Sequence, residues 1–459
     1  MKSLHVLISR HHKTTVFRHL NHTSAASISP YNYSQNDYAK EIAEQVSSSP
    51  NIIHLNQIFT TILKTHFLYF NPAPFHYNNI ARAFARLHAP KKALFLYIKM
   101  IRDGVATDTY TLPIVLKAAC HFFEKRLCGQ LHCVAVKYGV EKNMYCESGF
   151  ICFYLRCGEI ENAYKVFDEN PERKLGSWNA MMAGLAQGGR GKEAIGMFVG
   201  LKREAFVPDD VTMVSATSAC GSLGDLILAI QLHRCVFAAR RWGSLDILMM
   251  NSMIDMYGKC GRMDLANKVF WEMEERNVSS WTSMIVGYAM HGHVKEALDC
   301  FVCMRGVGLR PNHVTFVGVL SACVHGGLVQ EGKYFFSMMK NEYGIMPMLQ
   351  HYGCMADLLG RAGLFEEARE MVEKMPMKAN VIVWGSLMGA CEKHGNVEMG
   401  ELVAKHLIEL EPWNDGVFVV LSNIYASNEM WDEVERIRGI MKERKLAKIP
   451  GYSFATSTN

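Results

Sequence analysis

The sequence predicts an all-α solenoid, and two repeating patterns in the chain predict it. One helical string occurs three times, as FICFYLRCGEIENAYKVFDEN from Phe150, MIDMYGKCGRMDLANKVFWEM from Met253 and MADLLGRAGLFEEAREMVEKM from Met355. A tryptophan also recurs at intervals of 103 residues, starting at Trp178. A fixed internal period is typical of repeat proteins, in which each unit buries its apolar face against its neighbours.

Each repeating unit is predicted to contain two helices. In the unit that starts at Val278, apolar residues follow helical spacing in two runs separated by Gly292: Trp281, Met284, Ile285 and Tyr288, then Ala297, Phe301 and Met304. Glycine ends helices readily, and Gly308 and Pro311 close the unit. A single hairpin of this kind cannot bury its apolar stripe alone, so the units must stack.

The period divides residues 74–380 into nine repeats, arranged as three triplets of three unit types. The predicted units are 74–108, 109–143, 144–174, 175–209, 210–246, 247–277, 278–312, 313–348 and 349–380. Residues 37–73 are predicted to form a degenerate first hairpin, 381–449 further helical hairpins, and 450–459 a short tail.

The net charge of +5 comes mostly from the start of the chain. Residues 1–36 contain Lys2, Arg10, Lys13 and Arg18 and no acidic residue, together with many Ser, Thr and His residues. This composition is typical of an organellar transit peptide, and a disordered tail is the alternative. The nearly neutral remainder excludes a polycation that would bind any nucleic acid by charge alone. No apolar run is long enough for a transmembrane helix.

The cysteines do not indicate a metal site or a cofactor. The 14 cysteines are scattered, as expected for thiols in a reducing compartment. Cys300 and Cys303 form the only CxxC, and no second CxxC or suitably spaced histidine pair accompanies it. We therefore interpret these two residues as part of a helix surface and core.

The period and the motifs resemble those of pentatricopeptide repeat proteins of land-plant organelles, specifically the class with alternating P, L and S repeats. The strings HYGCMADLLGRAG from His351, VWGSLMGAC from Val383 and VLSNIYASNEMWDEV from Val420 resemble its last S repeat and its two E motifs, which are helical hairpins similar to tetratricopeptide repeats. The resemblance covers about residues 74–449. It implies a right-handed superhelix of stacked helix-turn-helix repeats.

In that family each repeat contacts one base of single-stranded RNA. The reading side chain lies in the first turn of the first helix, and its partner is the last residue of the repeat. Carried onto this chain, the resemblance implies five pairs: Asn78 with Asp108, Ser148 with Lys174, Asn179 with Asp209, Asn251 with Asn277, and Thr282 with Asn312.

Helix capping is the alternative role for these polar residues, since Asn, Asp, Ser and Thr are preferred caps. Against it, the L-type units carry Pro113, Val214 and Val317 at the reading position. A capping requirement should not alternate with unit type, whereas a code with silent L units would. The family's code then implies the target 5′-U-n-?-U-n-Y-A-n-?-3′. Lys174 and Gly353 depart from the pattern and leave the bases of their units undetermined.

Proteins of this class resemble specificity factors for C-to-U RNA editing. None of the 19 histidines starts the His-x-Glu motif of the zinc deaminase, so we expect a non-catalytic protein that recruits a deaminase in trans. The resemblance implies a partner with a DYW deaminase domain that binds residues 381–449, although this segment could serve only as a cap. The family resemblance alone suggests multiple organellar RNA editing factor proteins, which are small proteins, as further partners.

Two alternatives to an editing factor stay open: a factor for splicing, RNA stability or translation, and a protein–protein scaffold of the tetratricopeptide type. The acid-free start with arginine and histidine favours the mitochondrion, with the chloroplast as the alternative. We expect no membrane association.

Overall fold

In a computed structural model of the chain, residues 35–239 and 246–444 are described. The predicted tail, and the predicted transit peptide except its last two residues, lie outside these ranges. The chain divides into two compact halves, Met1–Leu223 and Gly224–Asn459. Within the described ranges every regular element is a helix, so the all-α prediction is confirmed.

The described part of the N-terminal half contains helices α1 to α12. In order, they are Gln35–Ser47, Ile52–Lys64, Phe67–Phe70, Pro74–Arg86, Pro90–Arg102, Thr111–Ala119, Lys125–Tyr138, Met144–Arg156, Ile160–Asp168, Leu175–Gln187, Gly191–Arg203 and Asp210–Leu223. The segment predicted as a first hairpin contains α1, α2 and the short α3, whose Phe67 and Leu68 are buried.

The described part of the C-terminal half contains helices α13 to α25. In order, they are Leu226–Ala239, Ile247–Lys259, Met263–Glu272, Val278–Met290, Val294–Gly306, His313–Gly326, Val329–Asn341, Leu349–Arg361, Phe365–Glu373, Val381–His394, Val397–Leu410, Asp415–Ser427 and Trp431–Glu443. From residue 74 to residue 380 the helices fall two by two within the units proposed from the sequence.

The turn between α16 and α17 shows how these hairpins close. Gly292 adopts φ 72°, which costs glycine little because it has no Cβ. This left-handed residue lets the Gly292 N–H donate to Ala289 O at 3.1 Å and the His293 N–H donate to Tyr288 O at 3.0 Å. The two bonds form a Schellman motif, which satisfies carbonyls at the end of α16 and reverses the chain.

First helices of successive units pack against one another in each half. In the N-terminal half the row runs through α4, α6, α8, α10 and α12, and in the C-terminal half through α14, α16, α18, α20, α22 and α24. Contacts between sequence neighbours of this kind define a solenoid. Trp281 shows the packing: it is 6% exposed, and its ring lies edge-on to Phe270 at 4.8 Å.

Residues 381–444 continue the apolar core of the last repeat. Val383 and Leu387 of α22 pack in one cluster with Tyr352 and Leu359 of α20. The helices proposed as E motifs therefore extend the stack and do not form a separate core. Among the described residues, no helix combines the length and the apolar character needed to cross a bilayer.

Candidate nucleic-acid interface

The first members of the five predicted pairs share one position in their helices. Asn78, Ser148, Asn179, Asn251 and Thr282 are each the fifth residue of α4, α8, α10, α14 and α16. The sequence placed them in the first turn, but they begin the second, because an α-helix has 3.6 residues per turn. An N-cap residue precedes the first helical residue, so capping explains none of these five side chains.

The second members, by contrast, lie where helices are capped. Asn277 and Asn312 are the N-caps of α16 and α18, and each forms a capping box with a hydroxyl residue three positions later. Asp209 Oδ1 accepts the Thr212 N–H at 2.8 Å, just before α12. Capping and pairing are therefore compatible roles for these residues, since one carboxylate or amide oxygen can accept several hydrogen bonds.

The pair in unit 175–209 is the most fully bonded. Asn179 Nδ2 donates to Asp209 Oδ1 at 3.0 Å and Oδ2 at 3.2 Å, and Asn179 Oδ1 accepts the Thr212 hydroxyl at 2.6 Å. Burial alone would raise the pKa of Asp209, but hydrogen bonds from Thr212 and Asn179 outweigh it and lower that pKa. The carboxylate therefore stays ionised and orients the amide.

This arrangement leaves Asn179 with unused hydrogen-bonding capacity. An amide nitrogen has two N–H groups and an amide oxygen has two lone pairs. One N–H of Asn179, shared between the two oxygens of the Asp209 carboxylate, leaves the other N–H as a donor, and the bond from Thr212 leaves one lone pair of the amide oxygen. The edge of uracil offers a keto oxygen beside the N3–H group, which is complementary to this donor and acceptor.

Two other asparagines meet their predicted partners directly. Asn78 Nδ2 donates to Asp108 Oδ1 at 2.9 Å, and Asn251 Nδ2 donates to Asn277 Oδ1 at 3.3 Å. Asn251 Oδ1 is buried and accepts no hydrogen bond, so its acceptor capacity is unused. Buried amide oxygens almost always accept a hydrogen bond, so the unpaired oxygen of Asn251 departs from the usual pattern.

Thr282 meets its predicted partner only through an intermediary. Its hydroxyl lies 2.7 Å from the Thr315 hydroxyl, and Thr315 Oγ1 donates to Asn312 Oδ1 at 3.0 Å. Asn312 therefore acts on Thr282 through Thr315. The sequence did not single out this hydroxyl, the third residue of the next unit, although its recurrence three residues after Asp108, Asp209, Asn277 and Asn312 could have indicated it.

The predicted pair of Ser148 and Lys174 is not brought together. The Ser148 hydroxyl donates within its own helix, to Met144 O at 2.8 Å. Lys174 is the N-cap of α10, and its side chain makes no capping bond. An ammonium group has no lone pair with which to accept a hydrogen bond, so it cannot replace Asp or Asn in the paired arrangement.

Exposed apolar side chains, which the sequence analysis did not single out, lie three residues before the reading positions. In the N-terminal half they are Phe75, Tyr110, Tyr145 and Val211, and in the C-terminal half Leu248 and Val314. Their exposed fractions range from 42% for Val314 to 63% for Tyr110. Residues three apart share a helix face, so these groups flank the reading side chains. Flat apolar and aromatic groups can stack on bases of any identity.

The two cysteines of the CxxC motif lie on one helix of the C-terminal half. Cys300 and Cys303 lie on α17, the first partly buried and the second exposed, and burial raises the pKa of the Cys300 thiol to about 12. Among the described residues, no group of three or more His, Cys, Asp or Glu side chains is placed to hold a metal ion.

Family models match the chain over most of the repeat array. The PPR repeat model matches residues 75–105, 176–206, 248–278, 314–343 and 351–378, a PPR repeat family model matches 276–325, and an E motif model matches 394–456. The matches to repeats begin within about two residues of first helices described above.

Several curated relatives from Arabidopsis thaliana are pentatricopeptide repeat-containing proteins. A mitochondrial one is 55% identical over 97% of this chain and 95% of its own length. Another is 36% identical over 97% of this chain and 92% of its own length. A chloroplastic/mitochondrial one is 41% identical over 83% of this chain, which spans only 62% of that relative.

Solved structures show the same fold. The crystal structure of the pentatricopeptide repeat protein PPR10 in complex with an 18-nucleotide psaJ RNA element matches with a TM-score of 0.59 and 16% identity, over 90% of this chain and 65% of that one. A second crystal structure, of PPR10 from maize, matches with a TM-score of 0.55 and 17% identity, over 90% of this chain and 62% of that one. From the full-length similarity to its relatives and the matching models, the chain belongs to the pentatricopeptide repeat family and carries an E motif.

Proposed function

We propose that this chain is a sequence-specific, single-stranded RNA-binding protein that selects sites for C-to-U RNA editing in a plant organelle. The observation that carries the proposal is the recurrent pair of side chains. Asn78, Asn179 and Asn251 occupy the same helical position, and each donates to the carboxylate or amide of the last residue of its unit. A repeated, oriented amide is suited to reading one base per unit.

The surroundings of the pairs suit RNA better than a protein ligand. Exposed apolar groups beside six of the nine reading positions offer surfaces on which bases can stack. Reading positions in the L-type units hold Pro113, Val214 and Val317, which have no polar group to offer a base edge. A tetratricopeptide-type scaffold would not require this alternation. The RNA bound by PPR10 supports the proposal by family relationship.

In this proposal the chain is a specificity factor and the deaminase is a separate protein. The E motif, matched at residues 394–456, is the proposed docking region for that partner. It presents Trp413 and Trp431, which are 73% and 62% exposed, and residues 381–444 contain more acidic than basic residues. An acidic surface with exposed indole rings is better suited to a protein partner than to RNA, since RNA phosphates are repelled by carboxylates.

Changes at the two tryptophans separate docking from capping. If residues 381–449 recruit a deaminase, exchanging Trp413 and Trp431 for alanine should abolish editing and leave RNA affinity and thermal stability unchanged, because both rings are exposed. If the segment only caps the solenoid, the same variant should edit normally.

Relatives that are mitochondrial and relatives that are chloroplastic both support an organellar location. We propose the mitochondrion, in agreement with the acid-free, arginine-bearing start of the chain.

Sequencing of organellar cDNA from a plant that lacks this protein, beside its wild type, tests the proposed function. We expect C-to-U conversion to be lost at one or a few cytidines that lie shortly downstream of 5′-U-n-n-U-n-Y-A. If every editing site is intact but one transcript loses splicing or an end, the chain is an RNA-binding factor for another processing step.

A further inference from the structure

At the boundary between units 144–174 and 175–209, the side chain of the last residue provides no acceptor for the next helix. Seven of the nine predicted units end in a side chain with an acceptor oxygen, and only Lys174 and Met348 do not. After Met348 a histidine takes the third position and is bonded at both ring nitrogens, since His351 Nδ1 accepts the Met348 N–H at 2.9 Å and its Nε2 donates to His313 O at 2.8 Å. At Lys174 no such substitute is present among the described residues.

The hydroxyl of Ser177 is left without a partner at this boundary. Ser177 is fully buried, and its Oγ makes no hydrogen bond. It is the third residue of α10, the position from which Ser280 and Thr315 donate to the cap residues Asn277 and Asn312. Lys174 supplies no acceptor there, so the first turn of α10 keeps an unmet donor.

The backbone of the same turn adds further donors. The first N–H groups of an α-helix have no intrahelical acceptor, and the helix dipole makes this end positive. The Ser177 N–H donates to Lys174 O at 3.0 Å, so the open donors are the first two N–H groups, to which the Lys174 side chain makes no capping bond. The second residue, Gly176, is exposed, and a Cβ there would meet no atom within 4 Å, so the approach to the backbone is open.

Lys174 itself is free to bind a ligand, whereas the neighbouring arginine is already bound. The side chain of Lys174 is exposed, and its ammonium group makes no hydrogen bond or ion pair with any described residue. Arg173 Nε donates to Asn170 O at 3.3 Å, and its guanidinium lies over the ring of Phe167. The boundary therefore presents an exposed ammonium group and backbone N–H groups, and beneath them the buried Ser177 hydroxyl has no hydrogen-bond partner.

A phosphate group matches this set of donors. Its oxygens only accept hydrogen bonds, and its negative charge is favoured by both the ammonium and the helix N-terminus. The edge of a base carries donors as well as acceptors, so its donors would face the donors of this boundary and find no acceptor. Ser148, which would have to share in reading a base, turns its hydroxyl to Met144 O.

We propose that Lys174 and the first turn of α10 bind a phosphate of the RNA backbone, so that unit 144–174 anchors the strand and does not read its base. This inference rests on the proposed RNA binding and deepens it. The anchor lies one nucleotide before the base proposed for Asn179, so it sets the register of the strand at the best-formed reading pair.

Binding of the full chain to four RNAs, which differ only at the third nucleotide of the proposed target, tests the anchor. Lys174→Gln should weaken binding to all four RNAs by a similar factor of about 5–10, because a charge-assisted contact is lost without regard to the base. It should also reduce the slope of log Kd against log salt concentration by about 0.7, the value for one phosphate contact on a single strand.

Two further variants keep the test interpretable. Lys174→Asp removes the cation and restores an acceptor for Ser177, so it should raise the Tm and still bind all four RNAs more weakly. Lys192→Gln removes an exposed lysine from the second helix α11 and should change neither affinity nor salt slope by a comparable amount.

A loss confined to RNAs with one base at the third nucleotide would show that Lys174 reads a base, and an unchanged affinity and slope would show that it contacts no RNA. Either result overturns the anchor. Failure of the proposed function looks different: the wild-type chain would then show no preference for U at the fourth nucleotide, whatever the Lys174 variants do.

Discussion

An exchange of Asn251 and Thr282 tests whether these side chains read adjacent bases. The two residues occupy the same position in consecutive units, and their predicted bases are a pyrimidine followed by adenine. Asn251 donates directly to Asn277 at 3.3 Å, whereas Thr282 reaches Asn312 only through the Thr315 hydroxyl. If these contacts orient the side chains at the two reading positions, the double variant Asn251→Thr, Thr282→Asn should prefer adenine followed by a pyrimidine.

The size of the effect follows from the hydrogen bonds at stake. An amide offers a base one donor and one acceptor, and a hydroxyl offers a different combination, so each exchange replaces about one hydrogen bond at one base. One such bond contributes about 1 kcal/mol, which corresponds to about a fivefold change in affinity. The two exchanges together should therefore change the preference between the two RNAs by about 25-fold, if the units act independently.

Fluorescence anisotropy with two labelled RNAs measures this preference. One RNA carries C and A at the sixth and seventh nucleotides of the target, and the other carries A and C. Each single exchange should alter only its own nucleotide, and the double exchange should favour the transposed RNA. Because both side chains are nearly buried, a thermal melt must show that the variants fold. An equal loss of affinity for both RNAs would refute base reading and indicate damage to packing.

Three further changes have expected outcomes. Gly353→Asn should create a preference for a pyrimidine at the ninth nucleotide, measured with RNAs varied there; its Cβ would lie 3.5 Å from Ile382 Cγ2, an ordinary contact. Trp281→Ala should lower the free energy of unfolding by about 3–5 kcal/mol in a urea titration, because the ring is buried, whereas Trp271→Ala, at 61% exposure, should cost less than about 1 kcal/mol. Burial lowers the pKa of His351, so the unfolded chain binds its proton more readily. The free energy of unfolding should therefore be fully retained above about pH 6.5 and fall as the pH is lowered toward 5, less so in His351→Gln.

The sequence predicted the array of helices because apolar spacing and repetition are local properties of a chain. Trp281 and its equivalents lie in the core, and Gly292 ends a helix, as their spacing indicated. Periodicity carries this information directly, since a buried helical face must recur about every 3.6 residues.

The reading positions were predicted from the family resemblance, and their bonding depended on three-dimensional contacts. The hydroxyl of Thr212, which holds the carbonyl of Asn179, comes from the next unit, 33 residues later in the chain. Lys174 could be recognised as a departure from the pattern, but the unmet hydroxyl of Ser177 required the packed structure. A hydrogen-bond partner depends on rotamers and on the stacking of neighbouring units, and a pattern of residue types specifies neither.

The exposed row that includes Phe75 and Tyr145 was not predicted, because an apolar residue in a helix is assigned to the core when only the sequence is considered. In the structure these residues occupy the second position of their helices, on the side that carries the reading residues, and are 60% and 57% exposed. Their position relative to the pairs, rather than their residue type, is what places them in the proposed interface.

Selection of bound RNAs from a random pool by the purified full chain tests the central claim most directly. If the paired residues read bases, the enriched sequences should carry U at nucleotides one and four, a pyrimidine at six and A at seven, with no preference at two and five. Those two silent positions face Pro113 and Val214, which have no polar side chain. No enrichment, or a preference at nucleotides two and five in place of one and four, would contradict the assignment of the reading pairs.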